Sequence, residues 1–233
     1  MIRNVARNVW QISGFPPGAI NCYLVGDGDR HILIDAGSKL DRRVILRRLR
    51  GANVSLVALT HVHPDHQGAV VAVCNAFNCP LACHDADRPA MEGRSPMLPD
   101  KRPIRWSSRF FGGPPRQVDQ SLRDGDNVAG FRVLEAPGHT PGHVIFFREA
   151  DRVAIAGDLA TNMNFLTLRP GLHQPPAFFS VDPARNRASF KKLVELNPGI
   201  VLFGHGPPLR DMSALRAFAQ RLERGQRAAA EGV

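Results

Sequence analysis

The chain has 233 residues, 43% hydrophobic and 22% charged, a composition that buries a core without needing disulfides or a structural metal. The net charge is +9 and almost all of the basic side is arginine, but no tail concentrates it and no aromatic platform accompanies it, which disfavours a nucleic-acid surface. Cys22, Cys74, Cys79 and Cys83 form no C-x-x-C pair, no apolar run opens the chain, and no apolar stretch approaches about 18 residues, so a cytoplasmic protein with no membrane span is expected.

Residues 9–12, 21–25 and 31–35 read as short strands separated by Gly-Pro and Gly-Asp turns. Phe15-Pro16-Pro17-Gly18 reads as an apolar loop. Residues 40–50, apolar at 40, 44, 45 and 49, read as a helix whose Arg42, Arg43, Arg47, Arg48 and Arg50 form a solvated face. A buried strand at 55–59 runs straight into a histidine-rich turn. Residues 65–76 read as one helix entered through Pro64, and 81–84 as a short strand. Residues 87–117 are rich in Pro, Gly and Arg and read as a long irregular excursion with short helices, the kind of segment that often binds ligands. Strands are expected at 131–136, 144–147, 153–156 and 200–203, helices at 183–196 and about 212–227, and an irregular segment at 162–176. The last few residues are expected to fray. No linker or repeat interrupts the chain, so residues 1–233 read as a single layered α/β domain.

The chemistry concentrates in His61-Val62-His63-Pro64-Asp65-His66. On an extended backbone, side chains two apart share a side, so His61 and His63 can chelate one cation. Pro64 then turns the chain, and Asp65 and His66 open a helix where they can reach a second position. Imidazole and carboxylate donors suit zinc, with iron or manganese as alternatives. More ligand-type residues follow later strands. His139 lies in Ala136-Pro137-Gly138-His139-Thr140-Pro141-Gly142-His143, Asp158 follows Gly157, and His205 sits between Gly204 and Gly206.

The H-x-H-x-D-H segment at 61–66, followed in order by His139, Asp158 and His205, resembles the metallo-β-lactamase superfamily of hydrolases over about residues 5–210. The resemblance implies an α/β fold: a four-layer αβ/βα sandwich, two mixed sheets face to face with helices outside and the site at one edge. It implies two divalent metal ions. His61, His63 and His139 would hold the first, Asp65, His66 and His205 the second, and Asp158 would bridge them. Such a pair lowers the pKa of water to about 7. Asp65 would also be catalytic, orienting the hydroxide and carrying a proton. His143 is expected beside the ligands rather than among them. His84 is expected in a hydrogen-bonded structural role, and His31 and His173 as ordinary surface and loop residues.

Branch-specific residues narrow the expectation. A bridging Asp158 disfavours the true β-lactamases, which do not use one. The lone tyrosine, Tyr23, sits in an early strand, which weakens a lactonase reading. The phrase at 137–143 is similar to that of the glyoxalase II-like group, which hydrolyses thioesters such as S-lactoylglutathione. The chain beyond His205 is long enough for one helix only, so the helical domain that binds glutathione in that group is expected to be missing. The expected reaction is hydrolysis of a thioester or related ester of a small-molecule acyl substrate. Residues 15–19, 87–117 and 162–176 would wall the site, with Arg102, Arg105, Arg109 and Arg169 available to an anionic substrate. The alternatives are a mononuclear iron persulfide dioxygenase using His61, His63 and His139, a lactonase, and a phosphodiesterase or nuclease. Oligomeric state is left open.

Overall fold

Alternating side chains divide the interior into three apolar layers, described here in a computed structural model that covers residues 2–14 and 16–231. Phe15 of the expected apolar loop and the last two residues lie outside the described residues. The first sheet has seven strands in chain order: β1 (Ile2–Ala6), β2 (Val9–Ser13), β3 (Asn21–Asp27), β4 (Arg30–Ile34), β5 (Val54–Ala58), β6 (Leu81–His84) and β7 (Gln120–Leu122). Tight turns make β1 to β4 antiparallel. Longer crossovers make β4 to β7 parallel, and they carry α1 (Arg42–Arg48), α2 (Pro64–Gln67), α3 (Val70–Phe77), α4 (Arg88–Met91) and α5 (Arg102–Phe111).

The second sheet has five strands. They are β8 (Asn127–Val128), β9 (Phe131–Glu135), β10 (Val144–Arg148), β11 (Val153–Gly157) and, beyond a separate hairpin of β12 (Thr161–Met163) and β13 (Pro170–His173), β14 (Ile200–Phe203). Its order is β14-β11-β10-β9-β8. Two helices complete the chain, α6 (Pro183–Glu195) and α7 (Met212–Glu231). Asp182 starts α6 by accepting the Arg185 N–H at 2.9 Å, with Pro183 in the first turn.

Neighbouring residues face opposite ways. Tyr23, Ile32 and Ile34 of the first sheet meet Phe131, Val133 and Phe146 of the second in the central layer. Leu24, Leu33 and Val57 point outward under Ile45, Val70 and Val73 of α1 and α3. Ile145, Phe147 and Val201 point outward under Phe190 and Leu193 of α6 and Leu215 and Phe218 of α7. The result is the four-layer αβ/βα sandwich with two mixed sheets.

Two local expectations need correction, and a third is made specific. The single helix at 65–76 is two helices, α2 and α3. The Gly68 N–H donates to the Gly37 carbonyl at 2.7 Å and the Ala69 N–H to that of Ala36 at 3.3 Å, so these donors leave the helix ladder. A side chain at Gly68 would collide with the backbone of Ser38 and Lys39. The irregular segment at 162–176 contains the β12–β13 hairpin, whose turn is held by the Asn164 side chain accepting the Leu166 and Thr167 N–H groups. The 87–117 excursion contains ten-residue α5, anchored by buried Ile104. Among the described residues no helix is long and apolar enough to cross a membrane.

Candidate metal centre

Strand ends gather the ligand-type side chains at one edge of the sandwich. His61 to His66 follow β5 and enter α2, while His139, Asp158 and His205 follow β9, β11 and β14. All seven are brought together. Donor atoms of His61, His63 and His139 lie within 4.8 Å of one another, as do those of Asp65, His66 and His205, and those of Asp158 with His61 and His66. Asp158 lies between the trios, with Oδ2 3.0 Å from His205 Nε2 and 3.7 Å from His139 Nε2. Gly204 makes this possible, because any side chain there would strike Asp158 and His66.

The outer partners determine which ring nitrogen faces inward. The Leu98 carbonyl lies 2.7 Å from His63 Nε2, and a carbonyl only accepts, so that nitrogen carries the proton and Nδ1 is bare in the neutral ring. The Ala19 carbonyl does the same to His205 Nδ1. The Asp35 carboxylate accepts from His66 Nδ1 at 2.9 Å. The Thr60 hydroxyl donates to Asp35 at 2.8 Å, so it can only accept from His61 Nδ1 at 3.0 Å. His139 Nδ1 lies 3.1 Å from Ser180 Oγ. The inner nitrogens converge: His63 Nδ1 faces His139 Nε2 at 3.0 Å, close enough for one to donate to the other when no ion lies between them. His61 Nε2, His66 Nε2 and Asp158 Oδ1 are buried without a hydrogen-bond partner. Buried polar atoms left without a partner are satisfied by a cation among them, so this donor set fits divalent metal ions.

The charges of the trios differ. Burial and the neighbouring imidazoles hold His61 and His139 well below the usual imidazole range, and burial also lowers His63. Burial opposes a charge on His66 too, but Asp35 and Asp158 override it and raise its pKa well above the ordinary value. His205 is raised to about 10 against its burial by Asp158 and Asp65. Burial pulls the Asp65 and Asp158 carboxyls upward, yet His205 and His66 hold both below the usual carboxylate range.

Several residues that the sequence gave no reason to single out support the centre. Asp35 sits at φ 60°, in the left-handed region that Asp tolerates better than most residues, and holds both Thr60 and His66. Buried Asp87 accepts from the Val62 N–H, the Thr140 hydroxyl and the Gly142 N–H, and so ties the two histidine loops together. Each acts across a long sequence separation, so no local spacing reveals it. The Asp at the end of the 31–35 strand was the one available signal.

The other histidines lie outside the ligand trios. His143 stacks on His61 and its Nε2 accepts the Asp158 N–H at 3.1 Å, beside the centre. Burial pushes its pKa down to about 3. His84 bonds Glu135 and the Ala86 N–H, and His31 packs against Trp10. His173 is exposed on β13. Tyr23 is fully enclosed, its hydroxyl donating to the Phe203 carbonyl at 2.6 Å, and it cannot reach over the trios.

A cavity of about 360 Å³ opens onto the centre. Its walls come from Ala19 and Ile20, from α5, and from the β12–β13 turn and the segment after it. All three expected wall segments contribute, 15–19 through Ala19 alone among its described residues. None of Arg102, Arg105, Arg109 or Arg169 lines it, and Arg105 is paired with Asp100 instead.

A family profile described as the metallo-beta-lactamase superfamily matches residues 15–205. The chain is 31% identical over 218 residues to the probable metallo-hydrolase YflN of Bacillus subtilis (strain 168), covering 82% of each protein. It is 27% identical over 188 residues to the probable metallo-hydrolase YybB of the same organism, covering 80% of each. Among solved structures, TTHA1623 in a di-iron-bound form aligns at a TM-score of 0.64 with 31% identity, over 86% of this chain and 93% of that one. The metallo-beta-lactamase family protein TTHA1429 from Thermus thermophilus aligns at 0.69 with 23% identity, over 95% and 81%.

Proposed function

The chain belongs to the metallo-β-lactamase superfamily and is a metallo-hydrolase of that family, and from this we propose a two-metal enzyme that cleaves a thioester or related ester. The observation that carries the reading is the convergence of inner imidazole nitrogens on Asp158, with the outer nitrogens of His63, His66 and His205 held by acceptor-only partners. His61, His63 and His139 would hold one ion, Asp65, His66 and His205 the other, and Asp158 both. Zinc is the first choice, and the di-iron form of TTHA1623 supports iron as the alternative. When bound, the ions would polarise the acyl oxygen and lower the pKa of water to about 7.

In the proposed reaction water adds to the acyl carbon, the carbon–sulfur bond breaks, and the thiolate leaves with the proton that water gives up. Asp65 lines the cavity and is held ionised, so its carboxylate can orient the water and carry that proton. The similarity of the phrase at 137–143 to the glyoxalase II-like group supports a thioester. Enclosed Tyr23 disfavours a lactonase that needs a tyrosine over the ions. Four buried, unpaired cysteines accord with a reducing cytoplasm.

The test is reconstitution with zinc, iron or manganese, a metal count per chain, and a screen over thioesters, lactones, phosphodiesters and a cephalosporin. The expected result is a paired metal centre with thioesters turned over fastest. A single iron per chain together with oxygen-dependent oxidation of a persulfide would replace this reading with the dioxygenase.

A further inference from the structure

Apart from the side chains of the centre itself, the cavity above it is lined almost wholly by apolar groups. Its charged and ring-nitrogen groups are His63, Asp65, His139, Asp158 and His205, all at the floor. The rest of the lining includes Ile104 and Phe111 of α5, Phe165 of the β12–β13 turn, Pro175, Pro176 and Phe179. Two hydroxyls interrupt this wall, and both are already engaged. Ser107 donates to the Ile104 carbonyl at 2.9 Å and Thr161 to the Met163 carbonyl at 3.0 Å. No lysine or arginine among the described residues lines the cavity. Beyond the centre, a carboxylate would find no cation and an ammonium no anion among the lining side chains, so either would lose its water without an ionic partner.

We infer that the upper cavity is an acyl pocket for a neutral, apolar chain, with Phe165 and Phe111 as specificity-determining residues and the carbonyl placed at the floor. The inference deepens the hydrolase reading and rests on it for the position of the carbonyl. Phe165 lies edge-on to His205, with ring centroids 4.9 Å apart, and is 45% exposed, so it stands at the mouth and covers the floor at once. A chain laid against it and the α5 side chains removes apolar surface from water on both partners, worth about a fourfold gain per buried methylene. A tail that ends in charge loses this gain and pays desolvation as well.

Two measurements on the metal-loaded protein test the pocket. The first is kcat/KM for N-acetylcysteamine thioesters carrying acetyl, butyryl, hexanoyl and succinyl groups. Hexanoyl should exceed acetyl on the order of 100-fold, and butyryl should exceed succinyl. Phe165→Ala should cut the hexanoyl-to-acetyl ratio about tenfold, and Ser107→Arg should narrow or reverse the butyryl-to-succinyl ratio. Both ratios are internal to one preparation, so a variant that loads or folds poorly still reports. The second is calorimetric binding of hexanamide against 6-aminohexanamide, where the neutral amide should bind at least about tenfold more tightly. A flat chain-length profile, or succinyl preferred over butyryl in the wild type, overturns the pocket while leaving a hydrolase. If no thioester is cleaved but hexanamide is still preferred, the pocket stands and the thioester reading falls.

Discussion

The two donor trios flank Asp158 but are built from opposite materials. His61, His63 and His139 are backed mainly by neutral groups, namely the Thr60 hydroxyl, the Leu98 carbonyl and Ser180, and burial keeps their rings uncharged. In the other trio His66 and His205 lie against Asp35, Asp65 and Asp158, which draw protons onto them. One position is thus ready for a cation at neutral pH. The other holds protons that a cation must displace, and in return it offers a larger negative charge. The order in which the centre fills, and its response to pH, should follow from that difference.

The largest expected effect comes from removing what the trios share. Asp158→Ala should leave the second position largely empty and lower turnover by a factor of about 100 or more. Elemental analysis and kcat together check this, and an unchanged metal count with unchanged activity would refute the bridging assignment. Next is pH. His66 and His205 carry protons in the metal-free protein at neutral pH, so loading the second position releases up to two. Its affinity should rise up to about 100-fold per unit as pH increases from 6 to 8, while that of the first stays nearly flat. Calorimetry in buffers of different ionisation enthalpy counts the protons, and equal release at both positions would erase the contrast.

Two outer-partner variants sharpen it further. Asp35→Asn removes the charge behind His66 and should weaken the second position by roughly 10- to 100-fold, and the first, reached only through Thr60, by less. Ser180→Ala removes a neutral partner behind His139 and should weaken the first position by only about fivefold. Competition with a chromophoric chelator measures both, and reversed magnitudes would mean that the trios are not built as described.

The parts of this site that were legible in the sequence are those with local spacing. His61 to His66 fall within one strand-to-helix turn, so their meeting follows from backbone geometry. His139, Asp158 and His205 each follow a strand, which placed them at strand ends but did not say that those ends converge; the family resemblance supplied that step. Asp35, Asp87 and Ser180 were not legible in this way, because each reaches its histidine or histidine loop across a long stretch of chain. The same distinction holds for the fold. Alternation revealed the central strands, but Gly68 breaks a helix through contacts with residues 36–38, and the β12–β13 hairpin contains Pro170 and Gly171, which signal irregularity. The arginines at 102, 105, 109 and 169 suggested a charged wall, yet the cavity is lined by the apolar side chains of those same segments.

Each sheet contributes part of the centre, His61 to His66 from the end of β5 and His139, Asp158 and His205 from the ends of β9, β11 and β14. Ions held by both would act as a suture across the seam between the sheets. Separating them would cost the binding free energy of the metal as well as the buried apolar layer, and each tenfold excess of free metal over its dissociation constant adds about 1.4 kcal/mol to that cost. Metal supply would then govern how long the folded chain survives heat or proteases, independently of whether any substrate is present.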